Sequence, residues 1–178
     1  MKVLVAYESM FGNTEAVARA VADGLGERME VEIDDVAKVT ASNRFDLIVV
    51  GGPTHAFSMS RPSTRADAIT QGATRDKESI GLREWLGQLP HADQSQSFAS
   101  FDTRVEKVRH LPGSAAAKAA RIGRRLGYAP VGQESFYVSG TTGPLVGDEL
   151  ERARKWGAEL GTRLATHVSD QAAERTRG

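Results

Sequence analysis

The 178-residue sequence is 40% hydrophobic and 26% charged, ordinary for a globular chain and enough for one domain with a real core. It has no cysteine, which excludes disulfide frameworks, thiolate zinc sites, iron–sulfur clusters and a cysteine nucleophile. Its 23 Lys and Arg balance 23 Asp and Glu, but unevenly: residues 1–37 carry three basic against eight acidic residues, and residues 104–127 seven basic against one.

Lys2–Tyr7 is a short, valine-rich apolar run that reads as a buried strand. Glu8 then breaks the run where a signal peptide would have to continue, and no window approaches the about 20 apolar residues of a membrane span. The expectation is a soluble, cytoplasmic chain. From Thr14, Ala16, Val17, Ala20, Val21 and Leu25 recur at helical spacing, with Gly26 at the C-terminal cap position. Met29–Ile33 alternates as a half-buried strand, and Phe45–Val50 is a second continuous apolar strand closed by Gly51, Gly52 and Pro53. Pro62 suits the first turn of a helix. Residues 72–96 have the weakest pattern, although Leu82, Trp85, Leu86 and Leu89 suggest a short helix in an irregular insertion. Ser97–Thr103 is strand-like, and Gly113–Leu126, opened by Pro112, is an alanine-rich helix. The basic run of 104–127 reads as a solvated face, with an acidic partner as the alternative, and the lack of interleaved aromatics argues against nucleic acid. Ser135–Ser139 is a further strand, and Gly147 or Asp148 caps a last amphipathic helix to about Leu164. Trp85 and Trp156 read as packing residues. The domain is expected over residues 1–165, with a frayed polar tail over 166–178.

Strands and helices thus alternate about five times, which indicates a parallel sheet with helices on both faces. Ligands of such sheets bind beyond the carboxyl ends of the strands, where strand order reverses. The segment after the first strand offers the side chains of Ser9, Asn13 and Thr14, and Gly12 lets the backbone come close to a ligand. The next helix points its unpaired amides and positive end at the same spot. The loop lacks the GKS or GKT of a nucleotide triphosphatase and the GxGxxG of a dinucleotide fold. Gly51 and Gly52 stand where a receiver domain would need an aspartate, and no GxSxG elbow occurs. What remains is a loop that holds a phosphate with hydroxyls and amides and without a cation.

Ser9-Met10-Phe11-Gly12-Asn13-Thr14, directly after the first strand, resembles the FMN phosphate loop of flavodoxins. The resemblance implies a flavodoxin-like α/β fold, a doubly wound five-stranded parallel sheet of order 2-1-3-4-5 with helices on both faces, and FMN as cofactor. Gly52-Pro53-Thr54-His55-Ala56-Phe57-Ser58 resembles the family's loop along the isoalloxazine ring. Backbone amides of 54–58 would then lie near the flavin N5 and O4, with Phe57 or His55 against a ring face. His55 also reads as an exposed loop residue. In the family a peptide of this loop turns to place a residue at positive φ; residues 54–59 contain no glycine, so such a turn would carry about 1–3 kcal/mol of strain. Ser100-Phe101-Asp102-Thr103-Arg104 resembles the loop at the pyrimidine edge. Phe101 is there either a stacking aromatic or a core residue, and Asp102 either receives a ring N–H or caps the loop. The family usually puts a tyrosine in an acidic setting here, and this sequence does not. The implied cofactor-binding set is Ser9, Met10, Phe11, Gly12, Asn13, Thr14, Pro53, Thr54, His55, Ala56, Phe57, Ser100, Phe101, Asp102 and Arg104, with no catalytic side chain and no metal. Gly140–Pro144 is a candidate for the rim.

The resemblance implies an FMN-binding electron-transfer protein that works with a redox partner protein or a small-molecule donor or acceptor. Two alternatives stay open. One is an NAD(P)H- or quinone-dependent FMN oxidoreductase, protoporphyrinogen-oxidase-like enzymes included, which the neutral net charge favours because carrier flavodoxins are typically strongly acidic. The other is a flavin-free flavodoxin-like binding module, against which the intact Ser9–Thr14 loop speaks.

Overall fold

The two continuous apolar runs stand side by side at the centre of the sheet: β1 (Lys2–Tyr7) and β3 (Leu47–Pro53) pair in parallel from Val3 opposite Leu47 to Tyr7 opposite Gly51. The computed structural model describes residues 1–42, 44–74, 79–92 and 95–175, with side chains as far as Thr166. The other elements are α1 (Asn13–Gly26), β2 (Glu30–Asp35), α2 (Pro62–Thr70), α3 (Leu82–Leu86), β4 (Ser97–Val105), a 3-10 turn (Glu106–Val108), α4 (Ala115–Arg125), β5 (Ala129–Val138) and α5 (Glu149–Arg175). All strand pairs are parallel and the order is β2-β1-β3-β4-β5, as expected. The chain goes outward from β1 to β2, then returns across β1 to β3, so the reversal lies at the carboxyl ends of β1 and β3.

Period-two alternation divides the apolar side chains between two cores. Val3, Val5 and Tyr7 face α1 and α5, joining Val17, Val21, Leu25, Trp156 and Leu160. Leu4, Ala6, Ile48 and Val50 face the other way, joining Trp85, Leu86, Ala115 and Ala119 of α3 and α4. Both tryptophans pack in these cores, and the Trp85 indole N–H donates to the Val39 carbonyl at 2.8 Å.

Three ends differ from the sequence-based expectation. β5 starts at Ala129, not Ser135, because Pro130 and Gly132 break its apolar pattern. Edge strands tolerate proline, and the register slips by a residue between Phe98 and Ala99. Gly26 is the last helical residue of α1, capped by Glu27 in right-handed geometry, not a left-handed terminator. α5 continues well past Leu164, so the stretch expected to fray is helical to Arg175. Among the described residues, no helix is long and apolar enough to cross a membrane.

Candidate functional site

The loop between β1 and α1 is shaped by one hydroxyl. Ser9 Oγ accepts from the Gly12 N–H at 3.1 Å and the Glu15 N–H at 3.3 Å, which leaves its own hydrogen to donate outward. Gly12 sits at φ 84°, where a Cβ would be strained, and opens the helix without a side-chain cap. The backbone N–H groups of Met10, Phe11, Asn13 and Thr14 have no acceptor among the described residues. Thr14 Oγ1 is buried and pairs with Thr103 Oγ1 of β4 at 2.7 Å; two hydroxyls that share one bond keep one hydrogen spare. Asn13 Nδ2 donates to the Thr142 carbonyl at 3.0 Å, which ties the β5–α5 loop to the rim.

The loop after β3 forms the opposite lip. His55 and Ser58 exchange backbone hydrogen bonds of 2.8 and 3.0 Å around a two-residue turn, with Ala56 at φ 46° and Phe57 at φ 62°. These are the paired left-handed residues of a tight hairpin turn, here without the usual Asn-Gly. Ala56 and Phe57 thus hold positive φ in a loop that has no glycine. Arg83 of α3 braces the segment from behind, its guanidinium donating to Ser58 Oγ and to the Met59 and Ser60 carbonyls.

At the end of β4 the structure separates residues that the sequence groups. Ser100 is buried and donates to the Ala116 carbonyl at 3.0 Å, so it anchors α4. Phe101 is a core residue, edge-on to Phe136 and Trp156, and its ring fills the space that Gly51 leaves; a Cβ at position 51 would overlap it. Asp102 caps a helix: Oδ2 accepts from the Ala116 N–H at 3.0 Å and from Thr54 Oγ1 at 2.9 Å, while Thr54 Oγ1 accepts from the Ala115 N–H. A carboxylate at the start of α4 is also favoured by the helix dipole. Arg104 is buried, and its Nη2 holds the Val108 and Leu111 carbonyls at 2.8 and 3.0 Å; it is not part of the exposed basic run.

Behind the second lip lies a polar cluster that the sequence reading missed. Glu8 is fully buried; Oε1 accepts from Ser60 Oγ at 2.5 Å and Oε2 from the Leu82 N–H at 2.7 Å. Arg65 Nη1 donates to Ser60 Oγ and pairs with Glu84 Oε2, both at 3.1 Å. The available signal was a carboxylate closing an apolar strand, with an arginine one turn into α2. His55 stands near this cluster, and burial, reinforced by the Arg65 cation, lowers its pKa against the opposing pull of Glu8 and the Thr64 backbone.

Between the lips lies a cleft of about 300 Å³. Met10, Phe11, Asn13, Thr14, Pro53, Thr54, His55, Ala56 and Arg104 line it, as do Thr103, Val105, Val138 and Thr141. Ser9, Gly12, Phe57, Ser100, Phe101 and Asp102 lie outside its lining. Thr64, Asp67, Ala68 and Gln71 of α2 form a further wall, which their helical spacing after Pro62 would have revealed. Residues 5–83 match the family model for flavodoxin. The fold is flavodoxin-like. No curated protein matches the chain by sequence. Among solved structures it is similar to a flavodoxin from the Archaea (18% identity, 93% of this chain and 99% of the other, TM-score 0.62). It is also similar to flavodoxin from Streptococcus pneumoniae (16%, 94% and 99%, 0.63) and to oxidised flavodoxin 2 from Bacillus cereus (18%, 94% and 99%, 0.59). The flavodoxin-like chain places its cleft at the reversal point where open parallel sheets of this order bind ligands.

Proposed function

We propose that this flavodoxin-like protein binds FMN and transfers electrons between FMN and a redox partner. The observation that carries the reading is the donor set of the 9–14 loop: four free N–H groups, a free Ser9 hydroxyl hydrogen and one spare hydrogen on the Thr14–Thr103 pair. A site of donors without acceptors, at a helix start, suits a phosphate dianion. Ser9, Asn13, Thr14 and the free amides of Met10, Phe11, Asn13 and Thr14 would hold the phosphate; Pro53, Thr54, His55 and Ala56 would border the ring, with Arg104 at its far edge and Phe57 facing away from it. When bound, the flavin supplies the redox chemistry, and the chain binds it, orients it and keeps water from one side. The described residues hold no cluster of three His, Asp or Glu suited to a metal.

A second reading, an oxidoreductase that takes a nicotinamide or a quinone as second substrate, is favoured by the balanced net charge. The test is a titration of the purified protein with FMN, followed by release of yellow cofactor on heating. Absence of binding at any concentration overturns the FMN reading. Steady NADPH oxidation with a quinone acceptor would select the enzyme, and turnover only through a separate reductase the carrier.

A further inference from the structure

We propose that an acidic redox protein docks on the face formed by the Phe57 turn and the 106–114 loop, steered by the cations that continue from it along α4. Phe57 and Leu111 are each 47% exposed, and the other large apolar side chains left this open among the described residues, Met1 and Leu150, lie elsewhere on the chain. Gly113 brings their loops together: a Cβ there would stand 2.6 Å from the Phe57 carbonyl oxygen and 3.0 Å from Phe57 Cβ. Both tips rest on fixed supports. The Phe57 turn is closed by the His55–Ser58 bonds, and Arg104 grips the carbonyls of Val108 and Leu111 from within. Apolar anchors held in place before binding lose little entropy on contact.

Charge decides the partner. Lys107, Lys118, Arg121, Arg124 and Arg125 are exposed and have no ion-pair partner among the described residues; Arg109 has Glu106 at 3.8 Å. An apolar centre beside unpaired cations is complementary to a protein with an apolar spot in an acidic surround. Nucleic acid fits less well, because among the described residues Phe57 is the only Phe, Tyr or Trp exposed on this face and no stacking series accompanies the cations. A second copy that met this face with its own would set cations against cations. The assignment of a redox role rests on the FMN reading: Ala56 lines the cleft and Phe57, the next residue, faces out, so a partner seated here would be one residue from the bound ring.

The experiment titrates the FMN-loaded protein calorimetrically with an acidic plant-type two-iron ferredoxin, and separately with a basic c-type cytochrome, at about 0.01 M and about 0.15 M salt. Ferredoxin binding is expected at low salt, weakening as salt rises, with the cytochrome binding far more weakly. The double variant Lys107→Glu, Lys118→Glu should lose about tenfold in ferredoxin affinity while keeping its FMN affinity. Leu111→Ser should lose several-fold at both salt concentrations. Equal ferredoxin affinity in wild type and double variant overturns the proposal. So does tighter binding to the cytochrome, tight binding of duplex DNA, or self-association that the double variant abolishes. The same titration on flavin-free protein separates the two readings. Docking without FMN binding leaves the heat of ferredoxin binding and removes electron transfer; failed docking leaves the FMN titration intact.

Discussion

The two lips of the cleft use their polar groups in opposite ways. Along residues 9–14 the donors stay open: Ser9 takes two N–H bonds and keeps its own hydrogen, and four amides point at no acceptor among the described residues. Across the cleft most polar side chains are tied to the protein itself, although Arg65 Nε, Asp102 Oδ1 and Arg104 Nε are buried without a partner among the described residues. Thr54 and Asp102 close on the start of α4, Arg104 on the 105–111 loop, Arg83 on residues 58–60, and Glu8 on Ser60 and Leu82. The first lip keeps donors open, as the proposed phosphate would require, and the second holds a shape. Substitutions on the first should therefore appear in ligand affinity, and on the second in stability.

The largest effect is expected at Glu8, behind the second lip. Glu8→Ala leaves the Ser60 hydroxyl and the Leu82 N–H without their buried charged acceptor, while Arg65 keeps Glu84, and the two lost bonds should destabilise the fold by about 3–5 kcal/mol. Urea unfolding measures it; a loss below about 1 kcal/mol would mean that water replaces the carboxylate and that this lip is not rigidly committed. Thr14→Ala tests the other side. One donor lost to a buried phosphate costs about 1.5–3 kcal/mol, or about ten- to a hundredfold in FMN affinity, with a much smaller change in stability. An unchanged dissociation constant for FMN would remove the phosphate role from this loop.

The same contrast explains what the sequence made legible. The 9–14 loop is local: the strand end, Gly12, the hydroxyls of Ser9 and Thr14 and the helix start are near neighbours in sequence, so its shape could be read from spacing. The alternation of continuous apolar runs with helices indicated a parallel sheet, and its strand order was implied by the resemblance to flavodoxins. The second lip depends on partners far along the chain. Glu8 meets Leu82, and Thr54 meets Asp102 and Ala115; no periodicity announces such pairs. Phe101 was ambiguous for the same reason, since only the pairing of Gly51 with Phe101 across β3 and β4 shows that the ring fills a glycine's vacant side. β5 was half-missed because an edge strand needs little apolar patterning, and Pro130 obscured the rest.

A smaller effect, of opposite sign, is expected at the tip of the second lip. Phe57 at φ 62° is held there by the His55–Ser58 bonds, not by its own preference. A left-handed L-residue costs roughly 1–2 kcal/mol, and glycine gives back about 0.5–1 kcal/mol in unfolded-state entropy. Phe57→Gly should thus stabilise by about 0.5–1 kcal/mol and raise the melting temperature by about 1–4 °C. A fall in melting temperature would show that the contacts of the Phe57 side chain outweigh the strain. Ferredoxin binding should weaken in the same variant, so that stability and docking move in opposite directions.

The smallest effect is a pH dependence at His55. Burial disfavours the imidazolium, the Arg65 cation adds to this, and the Glu8 carboxylate and the Thr64 backbone oppose it; the net pKa in the folded protein lies below the ordinary value. Between that lowered value and the unfolded value of about 6.5, the unfolded chain binds more protons than the native one, so stability rises with pH. His55's contribution is complete above about pH 6.5. It is lost as pH falls below that point, until the folded histidine also protonates. Urea midpoints for wild type and His55→Gln between about pH 5 and pH 8 isolate the effect, which should appear as a shallower acid-side slope in the variant. Equal slopes would assign the loss to other groups. Glu8→Gln sharpens the result, because it removes the negative charge that favours the imidazolium. The folded pKa of His55 should drop further and the acid-side loss extend to lower pH. If the loss instead contracts, the carboxylate acts on His55 through the position of the turn and not through its charge.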